Sequence, residues 1–466
     1  MRRALALLVS VLLLAAAPAS AAPGDFDESF GGDGIVDFDF GTATDRAYSV
    51  LAQPDGGIVM GGSLGDLGSA DFAVARSTAQ GSPDPGFASA GVATFALNGN
   101  QAARAVARQP DGKIVAVGFA FGGELPPGWL VARFNPDGTP DPSFALGAGI
   151  LKILPGGDVA GAADVVIQPD GKIVVVGYGG AGADLVVTRL TAAGVFDPSF
   201  GGGSSLVVDL GSVGDEADGV ALQRDGKLLV VGHQVLGPIS VLRFNPDGTP
   251  DSGFDGDGRR VLDPGSGNRA EDVLVQPDGK IVLSGSAGGQ PFLVTRLTSD
   301  GSLDGGFGSG GVASVRTFGS ATDYAHALAL QANGKLVIAG ETTSSAGGDL
   351  LAVARLQPGG SVDTTFGRNG SGIRTLNGGL SVGYGVALQA DGQIVVGGYN
   401  SENALAVRLE GDPPEAGGGP AAGTPGGPGG PGGGGGGGAR SVPRCAGKKA
   451  TIVGTNGSNR LKGTRR

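Results

Sequence analysis

The chain has 466 residues, of which 94 are Gly and 28 are Pro, and only 17% are charged. Outside a short C-terminal tract the glycines are not spaced at every third position, which excludes collagen, and the 40% of hydrophobic residues excludes a wholly disordered chain. The formal net charge of −11 gives an acidic body that repels phosphate backbones, so we expect no nucleic-acid partner.

Residues 1–22 have the pattern of a secretory signal peptide. Arg2 and Arg3 precede an apolar run over residues 4–17, and Ala19-Ser20-Ala21 supplies a small-x-small cleavage site. A membrane anchor is the alternative, but a run of about 14 apolar residues is short for a bilayer span. We therefore expect a protein that is secreted, extracellular or on the cell surface, and not transmembrane.

Residues 23–411 contain seven copies of one unit, each marked three times. The first mark is a turn of the form Gln-x-Asp/Asn-Gly, the second is the Phe of Asp-x-x-Phe, and the third is an Arg in a short apolar run. The turns begin at Gln53, Gln109, Gln168, Gln223, Gln276, Gln331 and Gln389. The phenylalanines are Phe30, Phe87, Phe144, Phe200, Phe254, Phe307 and Phe366, and the arginines are Arg76, Arg133, Arg189, Arg243, Arg296, Arg355 and Arg408. Three marks in constant phase establish a repeat protein.

Each unit is predicted to form four short strands. Examples are Val220–Gln223, the wholly apolar Ile173–Val176 closed by Gly177, Leu185–Arg189, and Gly311–Val315. Runs this short are typical of β-strands. Four antiparallel strands repeated seven times predict an all-β fold, a seven-bladed β-propeller. An open β-solenoid is the alternative, but it needs special caps at both ends, and the sequence has none that we recognise.

The Arg and Asp marks predict how the propeller closes. Six arginines precede an Asp by eight residues, as in Arg189 and Asp197 or Arg296 and Asp304, so a hairpin can bring each pair together. Asp27 and Arg408 are left over. If these two pair, the N-terminal strand around Ile35–Phe40 completes the last blade and leaves no open sheet edge. We expect the seven arginines to be structural.

The repeat resembles a known family. Gln168-Pro-Asp-Gly-Lys-Ile-Val-Val-Val-Gly177, with Leu185-Val-Val-Thr-Arg189 and Asp197-Pro-Ser-Phe-Gly201, is similar to the delta-60 repeat of bacterial exported proteins. There is a looser similarity to kelch repeats in Gly397-Gly398. The resemblance covers about residues 25 to 410 and implies a propeller-like domain in a secreted or surface protein of largely undefined molecular role.

Residues 412–438 are almost only Gly, Pro and Ala and are predicted to be a flexible linker. Residues 439–466 form a basic tail with eight Lys or Arg and no acid. Ala450 to Thr464 resembles the start of a haemolysin-type (RTX) calcium-binding repeat, which implies Ca²⁺ as a possible ligand. Asn459 stands where that family has Asp, and one partial repeat without carboxylates is a poor site for a hard cation. We therefore expect no cofactor, with calcium binding by the tail as the alternative.

Candidate binding residues come from two regions. Asp323, Tyr324 and His326 lie at the start of a predicted channel-side strand, where they form either part of a pocket or an ordinary half-exposed cluster. The connections after the second and fourth strands vary in length and share one end of the propeller, which we call the variable-loop face. Variable loops on a rigid frame commonly bind ligands. The candidate binding residues on these variable loops are Phe119, Phe121, Glu124, Trp129, Asp215 and Asp218.

Six aspartates, three of them named above, are predicted in the loops that enter the first strands. They are Asp45, Asp158, Asp215, Asp218, Asp272 and Asp323. They could gather as a cation site at the channel mouth or solvate the surface, and we expect solvation.

These observations favour a monomeric, non-catalytic propeller that binds an extracellular protein or glycan through its variable-loop face. The basic tail could in addition contact an anionic cell envelope. The alternative is a carbohydrate-active lyase or hydrolase that uses channel-mouth carboxylates, for which two acids should converge about 5–10 Å apart.

Overall fold

The structure is a computed structural model that describes residues 21–39, 44–66, 68–122, 126–156, 159–180, 182–211, 214–234, 237–263, 268–287, 291–316, 323–344, 348–376 and 380–412, with 444–445 and 448–449. The signal-peptide prediction for residues 1–22 falls almost wholly outside these residues. Within the described ranges, no helix has the length and apolar character that a membrane span requires. Two short 3-10 helices occur there, Ala145–Gly147 and Arg368–Gly370.

Seven four-stranded antiparallel sheets form the blades of a β-propeller, as predicted. Blades 1 to 3 contain β2 (Asp45–Ala52), β3 (Ile58–Leu64), β4 (Asp71–Ser77), β5 (Val92–Phe95), β6 (Asn100–Arg108), β7 (Ile114–Phe121), β8 (Gly128–Phe134), β9 (Ile150–Ile153), β10 (Gly161–Ile167), β11 (Ile173–Gly179), β12 (Asp184–Leu190) and β13 (Leu206–Val208). Blades 4 to 6 contain β14 (Asp215–Leu222), β15 (Leu228–Gln234), β16 (Ile239–Phe244), β17 (Arg259–Leu262), β18 (Asn268–Val275), β19 (Ile281–Ala287), β20 (Phe292–Leu297), β21 (Val312–Val315), β22 (Asp323–Leu330), β23 (Leu336–Thr343), β24 (Asp349–Leu356) and β25 (Ile373–Thr375). Blade 7 contains β26 (Ser381–Leu388), β27 (Ile394–Asn400), β28 (Ala404–Leu409) and the N-terminal β1 (Ile35–Phe38).

The first strand of each blade contacts the first strand of the next blade, and β26 contacts β2, so the seven first strands form a closed ring around the channel. The hydrophobic core is divided into seven clusters, each between two neighbouring blades. In the second strand β11, Ile173 and Val175 pack toward blade 2, whereas Val174 and Val176 pack toward blade 4. Each second strand begins with three apolar residues because both of its faces are buried there.

The seven arginines join the third strand of each blade to the next blade. The Nε of each arginine donates to the predicted Asp, over 2.5 to 2.7 Å. The guanidinium lies over the Phe of the same Asp-x-x-Phe segment, with its carbon 4.5 to 4.7 Å from the ring centre. In six blades Nη1 donates to a backbone carbonyl of the following blade, as Arg189 does to Pro246 O at 2.5 Å. The arginines are therefore structural, and each one binds an acid, an aromatic ring and, in these six, a neighbouring blade.

The ring closes as the sequence predicts. Strand β1 pairs antiparallel with β28, with Ile35 opposite Val407, and Arg408 Nε donates to Asp27 Oδ2 at 2.5 Å. The chain leaves blade 7 after its third strand, β28. Just beyond this strand, the carboxylate of Asp412 lies 3.0 Å from Nη2 of Arg355 in blade 6. The strand predicted over Ile35–Phe40 ends at Phe38.

The chain divides into two units, residues 1–432 and 433–466. In the second unit, the described residues form one antiparallel pair, β29 (Arg444–Cys445) and β30 (Lys448–Lys449). Both the linker and the RTX-like tail otherwise lie outside the described residues, so their predicted properties stay predictions.

The substitution Arg408→Met tests the closure. It leaves Asp27 buried without its cation, and removing one partner of a buried ion pair costs about 3–5 kcal/mol of unfolding free energy. We expect Arg76→Met to cost less, because the Arg76 and Asp84 side chains are 17% and 22% exposed, against 7% and 6% for Arg408 and Asp27. Equal losses for the two variants in urea unfolding would contradict a special role for the closing pair.

Candidate functional site

Every first strand carries one extra residue where it pairs with the second strand. In β14 and β15, for example, Ala217 is opposite Gly232 and Gly219 is opposite Val231, so Asp218 is a β-bulge with no partner. The same bulge occurs at the equivalent point in all seven blades. Bulges re-aim side chains and are common next to active sites.

A glycine on the second strand makes each bulge possible. At Gly232, a Cβ atom would lie in hard contact with the carbonyl oxygen of Glu216, and at Gly340 with that of Tyr324. The other five blades have the same close approach, at Gly62, Gly118, Gly177, Gly285 and Gly398. The glycine that ends each apolar run in the sequence is therefore required by the backbone of the first strand.

The seven bulge residues face one another across the channel, and we call them the bulge ring. In blade order they are Tyr48, Arg104, Ala163, Asp218, Glu271, His326 and Tyr384. All seven line one cavity of 190 Å³. Cavities of about 150 Å³ take up a benzene-sized molecule, so this one has room for a small ring.

Two further positions in each blade extend the ring toward the variable-loop face. The residues two places before the bulge are Arg46, Ala102, Gly161, Glu216, Arg269, Tyr324 and Val382, and their second-strand partners are Ser63, Phe119, Tyr178, His233, Ser286, Glu341 and Tyr399. Together with the bulge ring, these positions contain all five tyrosines and both histidines of the chain.

One side of the cavity, in blades 4 and 5, is built from ion pairs. Arg269 contacts two carboxylates, with Nη2 at 3.3 Å from Asp218 Oδ1 and Nε at 2.8 Å from Glu271 Oε1. His233 Nδ1 lies 2.7 Å from Asp218 Oδ2. Burial lowers the pKa of His233, but this contact outweighs the effect and the net pKa is raised. Asp218 and Glu271 are thus both paired with basic side chains of the protein.

The other side, in blades 6, 7 and 1, is aromatic. His326 stacks on Tyr384 with ring centres 4.5 Å apart, and Tyr384 stacks on Tyr399 at 5.6 Å. Tyr48 meets Tyr384 edge-on at 5.6 Å. The guanidinium carbon of Arg104, in blade 2, lies 4.7 Å from the centre of the Tyr48 ring. The aromatic side is therefore flanked by His326 at one end and Arg104 at the other.

The imidazole of His326 lies between two carboxylates, which raise its pKa. Burial lowers the pKa of this imidazole, but the carboxylates of Glu271 and Glu341 outweigh burial and raise the pKa to about 9. Each carboxylate has an oxygen 3.9 Å from a ring nitrogen, which is beyond hydrogen-bonding distance. In the opposite direction, burial raises the pKa of Glu271, whereas His326 and Arg269 outweigh it and lower the pKa to about 2.

The expectation of solvated aspartates in loops is wrong for five of the six. Asp45, Asp215, Asp218, Asp272 and Asp323 lie within first strands, where backbone and side-chain groups bind them. All but Asp218 are at most 6% exposed, and Asp218 has a 7% exposed side chain. Asp272, for instance, accepts a hydrogen bond from the backbone N–H of Leu328 in the next blade at 2.8 Å. Asp158 lies outside the described residues.

The structure separates the other predicted residues. Trp129 does not form an exposed patch, because it lies on β8, is fully buried, and donates from Nε1 to Tyr178 O at 2.9 Å. Phe119 and Phe121 are on β7 and stack on each other at 5.0 Å, with Phe121 45% exposed. Glu124 lies outside the described residues. Asp323 is buried and accepts a hydrogen bond from Thr342 at 2.6 Å, whereas Tyr324 is exposed at the rim.

Away from the cavity, the carboxylates of Asp184, Asp209 and Asp215 have oxygens within 4.8 Å of one another, a spacing that could hold a cation. Asp215 already accepts a hydrogen bond from the backbone N–H of Leu210 at 2.6 Å. Nothing further marks this cluster as a metal site.

Comparison with known proteins supports the repeat architecture. Six segments match the family model described as "Domain of unknown function (DUF5122) beta-propeller", at residues 53–87, 109–144, 168–200, 223–254, 276–307 and 331–366. The seventh copy begins at Gln389 and finds its Asp and Phe at the N-terminus, so it is not contiguous. The chain is thus built from β-propeller repeats, while the delta-60 and RTX assignments stay predictions.

No curated protein sequence matches the chain. Among solved structures, it is similar to a protein of unknown function from Bacteroides caccae, with 12% identity, a TM-score of 0.35, and coverage of 72% of this chain and 100% of that one. It is also similar to a polysaccharide lyase, an ulvan lyase of type PL25 (11%, 0.46, 80% and 95%), and to YCF48 bound to D1 peptide (12%, 0.43, 84% and 100%).

The substitution Gly340→Ala tests whether the glycine holds the bulge. Its Cβ would collide with the Tyr324 carbonyl, so we expect a loss of about 1–3 kcal/mol in unfolding free energy, as for other overpacked sites. Gly305→Ala is the matched control, because a Cβ there meets no atom within 4 Å, and a change within about 0.5 kcal/mol is expected. If Gly340→Ala proves as mild as Gly305→Ala, the explanation of the glycine is wrong.

Proposed function

We propose that the protein is an exported, non-catalytic binding propeller that takes its ligand into the mouth of the central channel from the variable-loop face. The ligand would be an extracellular glycan or protein group small enough for the cavity lined by the bulge ring. The sequence features of residues 1–22 support export, and the basic residues of the tail support contact with an anionic envelope.

The observation that carries this proposal is the contrast between two sets of positions in the same repeat. The Arg, Asp and Phe that join neighbouring blades are the same in all seven copies. The bulge positions hold six different residue types in seven blades, and six of the seven residues, all but Ala163, are charged or aromatic. A frame needs equal joints, whereas a ligand without seven-fold symmetry needs unequal contacts.

The state of the acids favours binding over catalysis. Four carboxylates line the cavity, and two of them, Asp164 and Asp272, accept hydrogen bonds from backbone N–H groups of the next blade. The other two, Asp218 and Glu271, both contact the guanidinium of Arg269. Burial and the neighbouring Tyr399 raise the pKa of Tyr384, which makes it a poor base. Catalysis by these carboxylates remains the second candidate, because both of them line the cavity.

A binding screen tests the proposal. The chain from residue 23 onward is applied to glycan and short-peptide arrays, alongside the double variant Arg104→Ala, His326→Ala. We expect the double variant to lose affinity for the retained ligand about tenfold or more, because it removes two cations from the cavity wall.

The matched control is Arg224→Ala, an exposed arginine in the turn between β14 and β15 on the opposite face. It should bind as the unaltered chain does. Binding that survives in the double variant would refute a site at the bulge ring. Mass spectrometry of each retained ligand after incubation separates the two candidates, since cleaved products would show that the protein is an enzyme.

A further inference from the structure

We propose that the cavity binds a small molecule through a carboxylate group, which lies between Arg104 and His326 along the aromatic side. This inference rests on the proposed function and names the chemical class of its ligand. The side of the cavity from blade 6 through blades 7 and 1 to blade 2 is called the donor arc, and consists of His326, Tyr384, Tyr48 and Arg104.

The donor arc offers hydrogen-bond donors that the protein does not use. Both ring nitrogens of His326 are buried and have no hydrogen-bond partner among the described residues, because the facing carboxylate oxygens of Glu271 and Glu341 are 3.9 Å away. Groups of this kind cost free energy when they are left unsatisfied, so a ligand that accepts hydrogen bonds gains from meeting them.

Arg104 adds a cation without an acid. Among the described residues, no carboxylate lies within ion-pairing distance of its guanidinium, which stacks on Tyr48 instead. Each of the seven structural arginines, by contrast, is bound to an Asp of its own. A stacked guanidinium presents its N–H groups in a planar fork, which fits the two oxygens of a carboxylate.

The wall in blades 4 and 5 sets which groups the rest of the ligand carries. Asp218 and Glu271 face the cavity and pair with Arg269 and His233, and Glu271 also has an oxygen 3.9 Å from Nδ1 of His326. A second carboxylate would be repelled there, whereas hydroxyl or ammonium groups would be attracted. Ala163, the one small member of the bulge ring, leaves space between Arg104 and Asp218 in blade order. The ligand therefore combines one carboxylate with donor groups on its other side, as a uronic acid or an amino acid does.

Histidine NMR tests this inference, because the chain has only two histidines. The chain from residue 23 onward is labelled with ¹³C-histidine, and the His326 signal is assigned by its absence from His326→Gln. Glucuronate and alanine are titrated against glucose and alaninamide, which lack the carboxylate. We expect at least one carboxylate to shift the His326 signal and to bind about tenfold or more tightly than its neutral counterpart. The two carboxylates distinguish a sugar acid from an amino acid.

The variant Arg104→Gln should lower the affinity for that carboxylate about tenfold or more, whereas Arg224→Gln should leave it unchanged. The inference is overturned if neither carboxylate shifts His326, if the neutral counterpart binds equally well, or if Arg104→Gln keeps full affinity. A neutral array ligand that needs the bulge ring would overturn this inference and leave the proposed function standing. The proposed function would fail together with this inference only if no ligand on the arrays depends on the bulge ring for its binding.

Discussion

The contact of one arginine with one aspartate, one phenylalanine and a carbonyl of the next blade is the interaction on which the propeller depends. It recurs around the ring beside apolar interblade clusters, which give burial but little direction, and beside single hydrogen bonds such as that from the backbone N–H of Leu328 to Asp272. In the last blade the same contact joins Arg408 to Asp27, whose separation in sequence makes it the longest-range pair of the set. Because one local rule supplies both the joints and the closure, a chain of short repeats folds into a ring without caps.

A second local rule creates the site. The glycine near the end of each second strand allows the first strand to bulge, and the bulge turns one side chain per blade into the channel without disturbing the interblade cores. The bulge residue takes no part in the arginine contacts between blades or in the seven core clusters. The frame therefore does not determine which amino acid stands there. In this chain those positions hold ion pairs on one side, as in Asp218 and Glu271, and stacked aromatic rings on the other, as in His326 and Tyr384.

The sequence was sufficient for the fold because its structural marks are repeated. Arg408 without a following Asp, and Asp27 without a preceding Arg, predicted the closing pair. The sequence predicts the site only in part: Asp218 and His326 line the cavity and Tyr324 lies at its rim, but Arg104, Glu271 and Tyr384 are absent from the prediction. These three residues lie in first strands where the alternation of polar and apolar residues is interrupted, because the bulge shifts the register. For the same reason the sequence predicts a loop, and not a strand, at Asp215 and Asp218. The recurring glycine inside an apolar strand was the available signal, since it indicates close backbone approach. Trp129 is predicted in a variable loop, whereas strand β8 already begins at Gly128, so Trp129 lies inside the blade and is buried.

The account separates residues that hold the frame from residues that form the site, and the most direct measurement is the unfolding free energy of a neutralised cavity. In the combined variant Asp218→Asn, His233→Gln, Arg269→Gln, Glu271→Gln, His326→Gln, Glu341→Gln, every ionisable residue that these contacts connect is replaced by an amide. Replacing a buried ionic cluster as a whole is commonly neutral or stabilising. The account predicts unfolding free energy equal to or above that of the unaltered chain, with ligand binding lost. A drop of about 3 kcal/mol or more, as expected for breaking one structural pair, would show that the cluster belongs to the frame.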